Sequence, residues 1–88
     1  MGLCTHLEAL ADADPPPLSA DSCVGCVDEG RDDWVDLRLC LSCGYVGCCD
    51  SSPRRHATLH YGAVGHPVMR SFEEGESWRW CFVDEVVG

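Results

Sequence analysis

The stretch from Cys40 to His66 constrains this chain more than any other. It reads CLSCGYVGCCDSSPRRHATLHYGAVGH, with cysteines at 40, 43, 48 and 49 and histidines at 56, 60 and 66. Ordinary packing does not call for four thiols and three imidazoles so close together. Short tracts of this kind are how chains hold metal ions. The spacing Cys40-x-x-Cys43 lets two sulfurs face one ion, with Gly44 behind it to let the chain turn back. His56 and His60 lie four apart after Ser51-Ser52-Pro53, so on a helix they project from one face.

Size leaves the apolar core marginally sufficient alone. A chain of 88 residues buries only about 60–65% of its unfolded surface, and small scaffolds usually add disulfides or metal to compensate. Eight cysteines permit either. The start, MGLCTHLEAL, has neither the basic opening nor the apolar run of a secretory leader. His6 stands where the myristoylation pattern after Met-Gly needs Ser or Thr. No window approaches the roughly 18 apolar residues of a membrane span. The expectation is a cytoplasmic chain with reduced thiols. Ligands that mix sulfur and imidazole favour zinc over an iron–sulfur cluster.

Charge narrows the partners. Fifteen acidic residues face six basic ones, for a formal charge of −9. Three zinc ions with seven ligating thiolates would leave about −10, because each ligand must deprotonate. Nucleic acid affinity comes mainly from Lys and Arg on phosphates, and anionic membranes select for the same residues. The expected partner is therefore a protein or a small ligand, with neither nucleic acid nor membrane.

Taken in order, Cys4-Thr5-His6 offers two ligands on one side if the segment is extended, and Leu7, Leu10 and Ala11 continue as a helical turn. Residues 11–22, ADADPPPLSADS, break regular structure and read as a semi-rigid Pro-rich loop within one domain spanning 1–88. Cys23-x-x-Cys26 is a second knuckle, followed by a charged turn over 28–33. From Trp34 to Leu39 the pattern alternates, with Val35, Leu37 and Leu39 on one face and Trp34, Asp36 and Arg38 on the other. Tyr45-Val46 is a short strand or turn. A helix is predicted from Pro53, capped by Ser51 or Ser52, to about Tyr61, ended by Gly62 or Gly65. Pro67–Phe72 and the aromatic Ser77–Val83 read as further strands, joined by an acidic turn over 73–76. The class is α+β: a small zinc-stabilised domain with a short antiparallel sheet, one main helix and long loops.

The candidate ligands are Cys4, His6, Cys23, Cys26, Cys40, Cys43, Cys48, Cys49, His56, His60, His66 and Cys81. Closed structural zinc takes four ligands, so twelve groups fill three sites. Cys48 and Cys49 are adjacent and cannot serve equally. Two positions past Phe82, Asp84 stands where Cys81 would have its x-x partner, and a carboxylate oxygen is an acceptable ligand. Either Asp84 or Cys49 completes the third set.

These positions together carry a resemblance. The pattern Cys4-x-His6, Cys23-x-x-Cys26, Cys40-x-x-Cys43-Gly44, Cys48, then His56, His60 and His66, then Trp80-Cys81, resembles the UBP-type (ubiquitin-specific-protease-type) zinc finger along nearly the whole chain. The resemblance implies an interleaved arrangement. One ion takes Cys23, Cys26, Cys48 and His56, and a second takes Cys40, Cys43, His60 and His66. A third ties the ends through Cys4, His6, Cys81 and Asp84.

It also implies function. UBP fingers typically bind the free Gly-Gly tail of ubiquitin in an aromatic pocket, without catalysis. Trp80 matches the pocket tryptophan, and Phe82 falls where the family often has tyrosine. Where tail-binding members have Gly then Arg, this chain has Cys49-Asp50, which opposes a carboxylate. Arg54 or Arg55 is the candidate substitute cation. From the residues alone, Trp78, Trp80 and Phe82 share a strand face, which either packs or is presented. The leading expectation is a zinc-binding interaction module for a protein or peptide C-terminus. Two others stand beside it. Cys48 and Cys49 could form a zinc-thiolate redox sensor. His6-Leu7-Glu8 before Cys23-x-x-Cys26 echoes the zinc deaminases, although Ser22 replaces their proline and no site leaves a position for water.

Overall fold

The computed structural model describes residues 4–88, so the Met1-Gly2 start lies outside the described residues. Among them, three helices, α1 (Thr5–Ala9), α2 (Val24–Asp28) and α3 (His56–Val64), surround five strands. These are β1 (Leu37–Cys40), β2 (Val46–Cys48), β3 (Val68–Ser71), β4 (Arg79–Cys81) and β5 (Val86–Val87). The strands form one antiparallel sheet in the order β2-β1-β3-β4-β5. The α+β class and the antiparallel sheet are as expected; β5 was not anticipated, because Val86-Val87 is too short to show alternation.

Register sorts the side chains onto two faces. Cys40, Met69, Trp80 and Val87 are cross-strand partners in one row, and Arg38, Trp78 and Phe82 fall on the same face by two-residue spacing. Leu37, Leu39, Val46, Cys48, Val68 and Cys81 lie on the other. The alternation read over 34–39 therefore holds within β1. Val35 departs from it, lying before the strand begins and exposed.

Three sequence expectations meet a different local geometry. Cys4-Thr5-His6 is not extended: Cys4 caps α1, its sulfur accepting the Leu7 N–H at 3.4 Å. Cys23 caps α2 in the same way, accepting from Cys26 N–H, so the second knuckle opens a helix. The main helix begins at His56 rather than Pro53 and runs on to Val64, ending at Gly65. Its start is displaced because the His56 N–H donates to the Cys48 sulfur at 3.2 Å, and Arg55 adopts a left-handed φ of 47° to bring it there. Ser52 does not cap this helix; its hydroxyl instead accepts the Val35 N–H at 2.7 Å.

The Pro-rich loop wraps the domain and docks on the first knuckle, where the Leu18 N–H donates to the Gly44 carbonyl at 2.9 Å. Gly44 has φ of 84°, and a Cβ there would collide with the Pro16 carbonyl. Only glycine meets both demands.

Among the described residues, apolar burial is divided into three small clusters rather than one core. Cys23, Cys26, Leu37, Leu39, Val46 and Cys48 form one; Leu7, Leu41, Val68 and Cys81 a second; Cys40, Ala57 and Met69 a third. Each contains cysteines of a different ligand group described below. Among the described residues no helix is long and apolar enough to cross a membrane.

Candidate metal centres and an aromatic cavity

All eight cysteines are free thiols, so the disulfide alternative is not used. Twelve side chains converge in three groups of four: Cys23, Cys26, Cys48 and His56; Cys40, Cys43, His60 and His66; Cys4, His6, Cys81 and Asp84. Within each group the donor atoms lie within 4.8 Å of one another. Zinc–ligand bond lengths make the edges of a tetrahedron about 3.8 Å between sulfurs and about 3.6 Å between sulfur and nitrogen. In the first group Cys26 and Cys48 sulfurs are 3.8 Å apart, and His56 Nδ1 lies 3.3, 3.3 and 3.6 Å from Cys23, Cys26 and Cys48. In the second, Cys40 Sγ is 3.4 Å from His66 Nδ1, and Cys43 Sγ is 3.4 Å from His60 Nε2. In the third, Cys81 Sγ is 3.6 Å from His6 Nδ1 and 3.8 Å from Asp84 Oδ2. The donors and their edges fit zinc at all three sites.

Local structure explains how each group forms. His56 must reach cysteines on the far face of the sheet, although α3 packs on the near one. Gly47 makes this possible. A Cβ there would come within 2.7 Å of the Ala57 backbone nitrogen, so only a bare backbone lets α3 rest on edge strand β2. His56 then hangs over the edge to the first site. One turn on, His60 stays on the near face, stacked on Tyr45 with ring centroids 4.2 Å apart. Burial, then the neighbouring His66, lowers the His60 pKa, which favours the neutral ring a metal needs. In the third group the Asp84 N–H donates to Cys81 Sγ at 3.5 Å, so the β4–β5 turn presents both ligands together.

The sites differ in exposure. All four ligands of the first are buried, Cys43 of the second is exposed, and Asp84 of the third is exposed. The first also has an outer partner. Glu29 Oε2 lies 3.4 Å from His56 Nε2, and Arg54 grips Glu29 through Nε at 2.9 Å and Nη2 at 3.2 Å. A carboxylate behind a ligating imidazole sets its tautomer and orientation.

Among the described residues Cys49 joins no ligand group. Its thiol is buried beside the Ser52 hydroxyl at 3.6 Å. Burial pushes its pKa up, but Ser52, the Asp36 and Ser51 backbone and the Arg38 charge together bring it below the ordinary value. Cys48, its partner in the redox expectation, sits in the first site. The deaminase echo also comes apart here, since His6 and the Cys23–Cys26 pair belong to different groups.

The near face of the sheet carries a cavity of about 570 Å³, within the range of about 300–1,000 Å³ usual for ligand sites. Trp78, Trp80, Phe82, Met69 and Val87 line it from the sheet, Ala57 and Thr58 from α3, and Cys49, Asp50 and Ser51 from the loop after β2. The aromatic strand face is thus presented, with all three rings half-buried. Phe82 does both jobs, stacking on Tyr61 at 4.8 Å and standing edge-on to Trp80 at 6.5 Å.

Trp80, Phe82 and Asp50 line this cavity; Arg54 does not, because Glu29 holds it elsewhere. The cation at the cavity is Arg38, whose guanidinium lies 4.4 Å from the Trp78 ring centroid. Sequence reasoning missed its role. Its signal was the alternation in 34–39, which sets Arg38 opposite Leu37 and Leu39.

Comparison with known proteins agrees with this geometry. Residues 23–86 match the family described as the Zn-finger in ubiquitin-hydrolases and other protein. The solution NMR structure of protein RPA1320 from Rhodopseudomonas palustris is similar throughout. It is 42% identical, with a TM-score of 0.82, covering 99% of this chain and 81% of that one. No curated protein matches significantly.

Proposed function

Because this chain belongs to the family of zinc fingers found in ubiquitin hydrolases and other proteins, we propose that it is a non-catalytic interaction module whose cavity receives the free carboxyl end of a peptide. The observation that carries this reading is Arg38, the one cation among the described residues that line an otherwise largely apolar cavity. Resting on Trp78, it is held by a ring face and by its own donation to the Leu37 carbonyl at 3.0 Å, with further N–H groups free to meet a carboxylate.

The zinc ions serve the fold rather than chemistry. Each group supplies four ligands, the closed arrangement of structural zinc, with no position for an activated water. A net charge of −9 disfavours nucleic acid and anionic membranes as partners. Seven ligating thiols call for a reducing compartment such as the cytoplasm.

The test is a titration of the zinc-loaded chain with one peptide ending Gly-Gly, prepared as free acid and as amide. The acid should bind about ten-fold or more tighter, as expected for hydrogen bonds to a charged group. Arg38→Gln should remove the difference and leave zinc content unchanged. Equal binding of acid and amide to the native chain would sink carboxylate capture.

A further inference from the structure

The cavity holds an anion as well as a cation. Asp50 lines it from the loop after β2, exposed, with Oδ1 accepting the Thr58 hydroxyl. Among the described residues, Oδ2 of Asp50 has no protein hydrogen-bond partner, and neither Arg38 nor Asp50 takes part in an ion pair. Two opposite charges in one apolar cavity that do not neutralise each other are complementary to a ligand carrying both signs. The aromatic wall points the same way. Arg38 already occupies Trp78 and Tyr61 covers Phe82, which leaves the Trp80 indole as the third aromatic ring lining the cavity. Tryptophan is the best ring for a cation.

Building on the carboxyl-end reading above, we propose that the cavity selects peptide ends bearing a basic side chain at the last or penultimate position. The terminal carboxylate lies against Arg38, and the ammonium or guanidinium lies against Asp50 within the aromatic cavity. A free basic amino acid offers similar charges, but a cavity of about 570 Å³ has room for more than one residue, so the occupant is a peptide end.

The experiment uses the zinc-loaded chain and short peptides identical except at the end: Gly-Gly, Lys-Gly, Gly-Lys and Glu-Gly as free acids, Lys-Gly as amide, and free lysine. At least one lysine peptide should bind about three- to five-fold tighter than Gly-Gly, and Glu-Gly weaker by a similar factor, the size of a partly exposed charge pair. The spread should close in about 1 M salt, where screening acts within about 3 Å. It should also close in Asp50→Asn, with zinc content unchanged. Free acids that bind alike, yet tighter than the amide, would overturn the selection and leave the carboxyl-end reading standing. An amide as tight as its acid would overturn both. Free lysine binding as tightly as the peptides would overturn the assignment to a peptide end.

Discussion

His56 and His60 stand one turn apart on α3 and yet belong to different metal groups, the first through Nδ1 on the far side of the sheet and the second through Nε2 on the near side. One helix thereby ties the zinc under α2 to the zinc under β1. Among the described residues no apolar cluster exceeds six buried residues, and each includes cysteines of one ligand group, so each cluster is closed around its own metal.

Chelation should therefore unfold the chain rather than loosen it, because structural zinc is worth roughly 10–16 kcal/mol in small domains. Circular dichroism should show loss of the native signal with excess chelator, and its persistence would contradict the metal-centred fold. Zinc affinity should fall as pH falls. Burial and the neighbouring thiols push Cys26 up to about 12 in the metal-free chain, and burial raises Cys23 and Cys40 too, so binding must displace protons.

Asp84→Ala should lower bound zinc from about three to about two per chain, since a site with three ligands is no longer closed. Cys49→Ala should leave it at about three, because Cys49 faces the cavity and Ser52 instead of an ion. Asp84→Cys should restore full loading. Metal analysis of the three variants decides whether the carboxylate is a ligand.

Gly47→Ala should cost about 1–3 kcal/mol, the usual range for overpacking. The new methyl meets the Ala57 backbone nitrogen at 2.7 Å, and α3 can escape only by lifting His56 from the first site. Thermal denaturation should show a lower midpoint, with weakened retention of one zinc. An unchanged midpoint would mean that α3 does not rest on β2.

Glu29→Gln should weaken zinc at the first site by about ten-fold, the low end for losing an outer partner of a ligating imidazole. Arg54, then His56, lowers the Glu29 pKa, so this support is present above the ordinary carboxylate range and is lost as pH falls through the lowered value. Competition with a chromophoric chelator, run against pH, should show the native chain approaching the variant only in acid. A variant with unaltered affinity at neutral pH would remove Glu29 from the site.

Residue types and short spacings made much of this molecule legible from its chain. Cys23-x-x-Cys26 and Cys40-x-x-Cys43 announced metal, because two sulfurs at that spacing can meet one ion whatever surrounds them. Alternation within Leu37–Cys40 shows which side chains share a strand face, a property of the extended backbone. Local rules failed where distant contacts decided the geometry. Ser51-Ser52-Pro53 signals a helix start, but the Cys48 sulfur takes the His56 N–H and moves the start downstream.

The chain alone thus determined that metal coordination would organise it and that zinc suits the donors. Tertiary structure decided that Arg54 serves His56 through Glu29 while Arg38 serves the cavity. A cation's role depends on which anion or ring stands within a few ångströms of it. That distance is set by strand pairing and helix docking across the whole chain, which no local run of residues encodes.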